Sequence, residues 1–137
     1  MRKNLFILHC SLFILLAVAS SCTESFGDRC RREAEEFTAR QCPRLLSEFI
    51  VLDSMVYVDE PQGFVYYHTV RGELDNDSLL TSESMANFKE VLLQEIRKDL
   101  GLKRYKEHGF TFTYHYISAS KGTTFTEASF GPEEYGN

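Results

Sequence analysis

Histidine, cysteine, serine and aspartate are the side chains from which this 137-residue chain could build reactive chemistry. His68, His108 and His115 all follow Cys42 in the chain, with no H-x-x-x-H or C-x-x-C spacing around them. Compact metal sites usually carry such spacing. His68 and His115 could face each other if their strands are neighbours. A metal there would still need a third ligand, and Cys42 or Asp53 would have to come from elsewhere in the fold. Ser54 follows Asp53 directly, and adjacent strand residues point to opposite faces. No G-x-S-x-G elbow is present either, so a Ser-His-Asp triad has no support. Asp75, Asn76 and Asp77 begin a calcium-loop pattern that then fails. Leu79 and Leu80 stand where an oxygen ligand and a glycine belong. The motifs therefore predict no catalytic residue, no metal site and no cofactor.

Cys22 is the exception, because its chemistry is set by what precedes it. Arg2 and Lys3 are followed by a mostly apolar run from Leu5 to Ala19. That is the layout of a secretory signal peptide. The run is 15 residues long and interrupted by His9, against the roughly 20 apolar residues of a membrane-spanning helix. Small residues at Val18-Ala19-Ser20-Ser21 lead directly to Cys22, and this segment resembles the lipobox of bacterial lipoproteins. The resemblance implies cleavage before Cys22, acylation of its thiol by fatty acid such as palmitate, and a membrane lipid anchor. Ala17-Val18-Ala19 is also an A-x-A site at which ordinary signal cleavage would release an unanchored domain. The expected organisation is a signal peptide over 1–21, a lipidated Cys22 and tether over 22–27, and one domain over 28–137.

The elements that must position any site follow from pattern. After residue 21 the chain holds 116 residues, enough for one core. Its 13 basic and 20 acidic residues give a formal charge of −7, which argues against nucleic-acid binding. Ser25 with Asp28 predicts a helix start, and Pro43 predicts its end at Cys42. Arg29–Glu33, Arg31–Glu35, Arg32–Glu36 and Glu36–Arg40 are spaced as i,i+4 ion pairs on the wet side of this helix. Cys30 and Cys42 then lie about 18 Å apart along it, beyond the ~7 Å reach of a disulfide, which predicts two free, largely buried thiols. Phe49–Val58 and Phe64–Val70 read as a hairpin, Ser84–Leu100 as a second helix capped by Gly101, and 110–117 with 123–130 as a second hairpin. The tail from Pro132 reads as a loosely held end. The expected fold is an α+β two-layer sandwich in the order α-β-β-α-β-β. About four mainly antiparallel strands would carry both helices on one face.

One sheet face is then left open. Tyr67, His68 and His115 are its candidate partner-binding residues, suited to a protein or glycan, while Tyr114 and Tyr116 are expected to join the core. Arg97, Lys98, Lys103, Arg104 and Lys106 could meet lipid headgroups, but complementing the helix dipole is the simpler account.

Beyond the leader, the chain is similar to small uncharacterised lipoproteins of Bacteroides-type bacteria. The similarity rests on Gln41-Cys42-Pro43, Leu52-Asp53-Ser54, Tyr66-Tyr67, Gly72-Glu73-Leu74-Asp75, Tyr105-Lys106-Glu107 with Gly109, Tyr114 and Tyr116, and Glu134-Tyr135. It implies a bacterial cell-envelope location, lipid-anchored at the outer membrane, and an α+β domain. It brings no activity and no site residue, and Cys30 departs from the pattern. The leading expectation is a non-catalytic binding or accessory module. The alternatives are an envelope enzyme or metal-binding protein using the His68/His115 face, and a secreted inhibitor or immunity protein.

Overall fold

The computed structural model describes residues 23–136. The expected signal peptide and Cys22 lie outside them. Helix α1 spans Phe26–Gln41 and starts where the capping chemistry demands: the Ser25 hydroxyl accepts from the Asp28 amide (3.1 Å) and donates to its carboxylate (2.6 Å). It ends at Cys42, before Pro43. Strand β1 (Arg44–Leu45), β2 (Ile50–Asp59) and β3 (Gln62–Val70) follow. Two short 3₁₀ turns, Gly72–Leu74 and Asp77–Leu79, lead into α2 (Ser82–Lys98). The chain continues through α3 (Lys103–Glu107), β4 (Thr111–Ser118), β5 (Thr124–Phe130) and α4 (Pro132–Tyr135).

The α+β class holds, but the sheet differs from expectation. It has five strands in the order β1-β2-β3-β4-β5 and is mixed. β3 and β4 run parallel, and the other neighbours are antiparallel. The two hairpins are joined through α2, which carries the chain back so that β4 starts beside the start of β3. Hydrophobic pattern marks the strands but not which way one hairpin meets the next. The extra strand, β1, has two exposed residues and so carries no alternation to read.

Both main helices do cover one face. Cys30 and Ala34 of α1 and Leu92 and Ile96 of α2 share a core with Tyr57, Phe64, Phe112, Ala128 and Phe130 of the sheet and with Phe110. Phe64, Phe110 and Phe112 are fully buried, each contributing roughly 1.5–3 kcal/mol of apolar burial. Strand β2 keeps this face only by a bulge. Leu52 pairs with His68, but Ser54 pairs with Tyr67, so Asp53 is one residue too many. The bulge re-phases the strand and lets Met55 and Tyr57 join Leu52 on the inner side. Thr38 of α1 exchanges hydrogen bonds with both backbone groups of Met55 (2.9 Å each), closing β2 where β1 no longer pairs with it.

Several local expectations change. Of the four i,i+4 pairs on α1, Arg32–Glu36 forms at 3.3 Å. Arg31 reaches Asp59 and Glu33 meets Arg104, so these charges fasten the helix to β2 and α3. Helix α2 starts at a Thr81–Ser84 capping box and stops at Lys98 with Asp99 as its cap. Leu100, expected as the last residue of this helix, is 86% exposed, and both it and Gly101 belong to the next 3₁₀ turn. The ammonium of Lys106 donates to the carbonyls of Ile96, Arg97 and Asp99. Arg97 donates to the Glu134 carbonyl at 2.6 Å. This basic cluster therefore largely closes helix ends and ion pairs within the fold. The tail is not loose. Tyr135 is buried and its hydroxyl donates to the Phe110 carbonyl at 2.7 Å. Cys30 and Cys42 are both free thiols, Cys30 buried and Cys42 only half-buried.

Candidate functional site

The open face of the sheet carries Tyr67 and His115 at matched positions of β3 and β4. Their ring centroids lie 5.4 Å apart. The His115 Nδ1 is 2.6 Å from the Glu127 carboxylate, and its Nε2 is 3.3 Å from the Thr124 hydroxyl. Both ring nitrogens are thus engaged by neighbours on β5, which orients the imidazole but leaves it no vacant lone pair. Thr113 and Ser129 bond to each other beside it at 2.8 Å. The result is a polar face with one tyrosine ring, on which Glu127, His115 and Thr124 form a hydrogen-bonded chain.

His68 does not belong to that face. It is 3% exposed and lies on the core side, stacked on Tyr116 at 4.5 Å with the rings 12° from parallel. Its Nδ1 lies 3.1 Å from the Tyr66 carbonyl, which can only accept, so Nδ1 carries the proton. Burial holds its pKa below the usual histidine value and keeps it neutral. Register puts Tyr67 opposite His115 and His68 opposite Tyr116. The two histidines therefore point to opposite sides of the sheet and cannot share a metal or a substrate. Strand alternation carries this signal, since Tyr67 and His68 are consecutive. Among the described residues no three His, Cys, Asp or Glu side chains are grouped to hold a metal ion. Asp53 accepts from Thr69 at 2.8 Å and Asp75 from the Ser120 amide at 2.8 Å. Asp77 pairs with Lys121. The acidic loop is therefore spent on holding itself against the β4–β5 turn.

The tyrosines expected inside are inside. Tyr116 is buried, with its pKa pushed up to about 12 by desolvation. Tyr66 and Tyr114 stack at 5.2 Å, and burial drives both hydroxyls further up.

Two features escape motif reading. The first lies where the tether meets the domain. Phe26 stacks on His108 at 4.1 Å and packs edge-on against Phe110. Arg104 sits over Phe26 and pairs with Glu33, which also accepts from the Tyr105 hydroxyl at 2.6 Å. Partial burial of Glu33 opposes its ionisation, but the Tyr105 hydroxyl and the Arg104 guanidinium outweigh it and hold the carboxyl below its usual range. A depressed carboxylate pKa adds stability above the unfolded value, about 4.5, and that stability is lost as pH falls through the folded pKa. Glu33→Gln should therefore cost about 1 kcal/mol at neutral pH. Its urea midpoint should also fall less steeply than the parent's between about pH 5 and pH 3. Parallel pH profiles would show that the network carries no charge-dependent stability.

The second is an apolar pocket at the opposite end of the sheet, with a volume of about 170 Å³. Leu74, Leu79 and Leu80 come from the loop after β3, and Met85 and Phe88 from the start of α2. Ile50, Val70 and Tyr116 contribute from the sheet. Phe125 completes it from the point where the β4–β5 register slips, Tyr116 pairing with Thr126 but Ile117 with Thr124. The available signal was three leucines inside an otherwise polar loop.

A family model described as a domain of unknown function, DUF8479, matches residues 25–126, which is most of the domain. No curated protein matches the chain significantly. Among solved structures, a protein of Pseudomonas aeruginosa described as "a putative secreted protein" superposes with a TM-score of 0.66. The match covers 80% of this chain and 91% of that one at 14% sequence identity, a likeness of fold alone.

Proposed function

We propose that this chain, which belongs to the DUF8479 family of domains of unknown function, is an exported, lipid-anchored envelope protein that binds a partner and catalyses no reaction. The observation that carries the reading is the run Val18-Ala19-Ser20-Ser21-Cys22, ending three residues before the Ser25 cap of α1. An acylated Cys22 followed by so short a tether would hold the domain close to a bilayer at its Phe26 end. Acyl chains bring about 0.8 kcal/mol per buried CH₂, so two or three chains suffice without a membrane-crossing helix. No helix among the described residues is long and apolar enough to cross a membrane. The Bacteroides-type resemblance and an outer-membrane location belong to the same proposal.

The binding half of the reading rests on chemistry. With His68 in the core, the open face offers contact area at Tyr67, Thr113 and His115, the last held in place by Glu127 and Thr124. Feeding cells an alkyne analogue of palmitate should label the full-length protein and not Cys22→Ala, and the parent should sediment with membranes. An unlabelled parent whose terminus begins at Ser20 would leave a diffusing exported domain and overturn the anchor.

A further inference from the structure

We infer that the open face of the sheet is where two copies of this chain pack, sheet against sheet. This rests on the reading of that face as the contact surface, names its partner, and is independent of lipidation. Alternation turns Val51, Val56, Val58, Val65, Tyr67 and Ile117 away from the helices, in register across β2, β3 and β4. None of the six belongs to the core under α1 and α2 or packs against it. Val56 is 43% exposed, and Leu45, which pairs with Val51, is 64% exposed. Apolar β-branched side chains gathered on neighbouring strands outside the core mark a contact surface.

Charge narrows the occupant. Strands β2, β3, β4 and β5 contain no lysine or arginine, so their open face has nothing with which to neutralise a phosphate or an anionic headgroup. Its carboxylates already have partners inside the sheet. Asp53 accepts from Thr69 at 2.8 Å, and Glu127 lies 2.6 Å from His115. A basic partner therefore finds no free carboxylate on it. What remains is apolar area with the twist of a sheet, and the surface that matches it is a second sheet packed aligned about 10 Å away. Every copy of this chain presents one. The area suffices. Four long strands about 4.8 Å apart and about 26 Å long give a footprint of about 500 Å². Two copies then bury about 1,000 Å², where specific interfaces begin. Symmetry agrees. Arg31 ties α1 to Asp59, at the β2–β3 turn. A two-fold axis along the strands keeps both α1 starts at that one end, so two anchored copies can pair on one bilayer. β3 and β4, the middle long strands, then lie nearest the axis, with Val65 and Tyr67 central and Glu127 towards the rim.

The test is sedimentation equilibrium of the full-length chain, purified from its membranes in density-matched detergent, or from the extracellular fraction should it not be lipidated. The parent should dimerise with a dissociation constant on the order of 10 μM. Val56→Arg should weaken this at least about tenfold, because each dimer would then hold two desolvated cations without partners. Val65→Arg, nearer the axis, should weaken it at least as much. Val56 is exposed, so the melting temperature of its variant at about 1 μM, where the parent is monomeric, should be unchanged. Val91→Arg, exposed on α2 at the opposite side of the sheet, should dimerise as the parent does. A parent still monomeric at about 200 μM, indifference to Val56→Arg, or loss in Val91→Arg would each overturn the assignment. Cross-linking in whole envelopes separates this from the wider reading. A monomeric parent that forms an adduct with another protein, lost in Val56→Arg, would overturn the dimer and keep the face as a partner surface. A monomeric parent with no adduct would overturn both.

Discussion

Gly63→Ala should destabilise the domain by more than about 3 kcal/mol and, at marginal stability, unfold it. Gly63 is the second residue of β3 and pairs with Thr111, the first residue of β4. A Cβ added there would lie 1.9 Å from the Thr111 carbonyl oxygen and 2.8 Å from its carbon. The clash is with backbone, so no side chain can swing away. The strands must part at the start of the parallel pair, and that pair joins the two hairpins into one sheet. The control is Gly122→Ala. Gly122 sits in the β4–β5 turn at φ +68°, and an added Cβ would meet nothing within 4 Å. Its cost is the left-handed backbone alone, about 1–2 kcal/mol. Urea titrations of the two variants should differ by at least a factor of about two in lost stability. Equal losses would mean that β3 and β4 are not in close backbone contact at Gly63.

These two glycines look alike in the sequence, each near a hairpin turn, and the difference between them marks how far the sequence can be read. What is set by neighbours in the chain is legible. Ser25 with Asp28 and Cys42 before Pro43 bound α1 within a residue, and the alternation through Phe112, Tyr114 and Tyr116 correctly places all three rings inward. What is set by pairing across space is not. Asp53 shifts the phase of β2 by one residue, yet nothing in Leu52-Asp53-Ser54 distinguishes a bulge from a strand turning one polar residue outward. Phe125 enters the pocket for the same reason on β5. Local patterns also cannot say that Lys106 would close the end of α2 and that Arg104 would pair with Glu33. The candidate site was half legible. Tyr67 and His115 do share the open face, while His68 is excluded by the alternation that brings the other two together. The pocket was hidden in a loop whose leucines become meaningful only beside Met85 and Phe88.

The chain's end departs from what its composition predicts, and the second large effect lies there. Pro132, two glutamates, a glycine and an asparagine compose like a frayed terminus, and only Tyr135 speaks against it. That one residue decides. Its ring is 9% exposed and lies 5.7 Å from Phe112. Its hydroxyl satisfies the Phe110 carbonyl, and Arg97 fixes the adjoining Glu134 carbonyl from α2. Tyr135→Ala removes a buried aromatic next to two fully buried phenylalanines, so the loss should be about 3–4 kcal/mol. Tyr135→Phe keeps the ring and strands only the Phe110 carbonyl, at about 1 kcal/mol. Truncation after Gly131 should cost at least as much as the alanine variant, because it also frees Arg97. A Tyr135→Ala protein with a urea midpoint matching its parent would show that the terminal turn does not dock. The ordering truncation ≥ alanine > phenylalanine > parent separates packing from hydrogen bonding. It would make the last helix part of the core that holds β4 and β5 beneath α2.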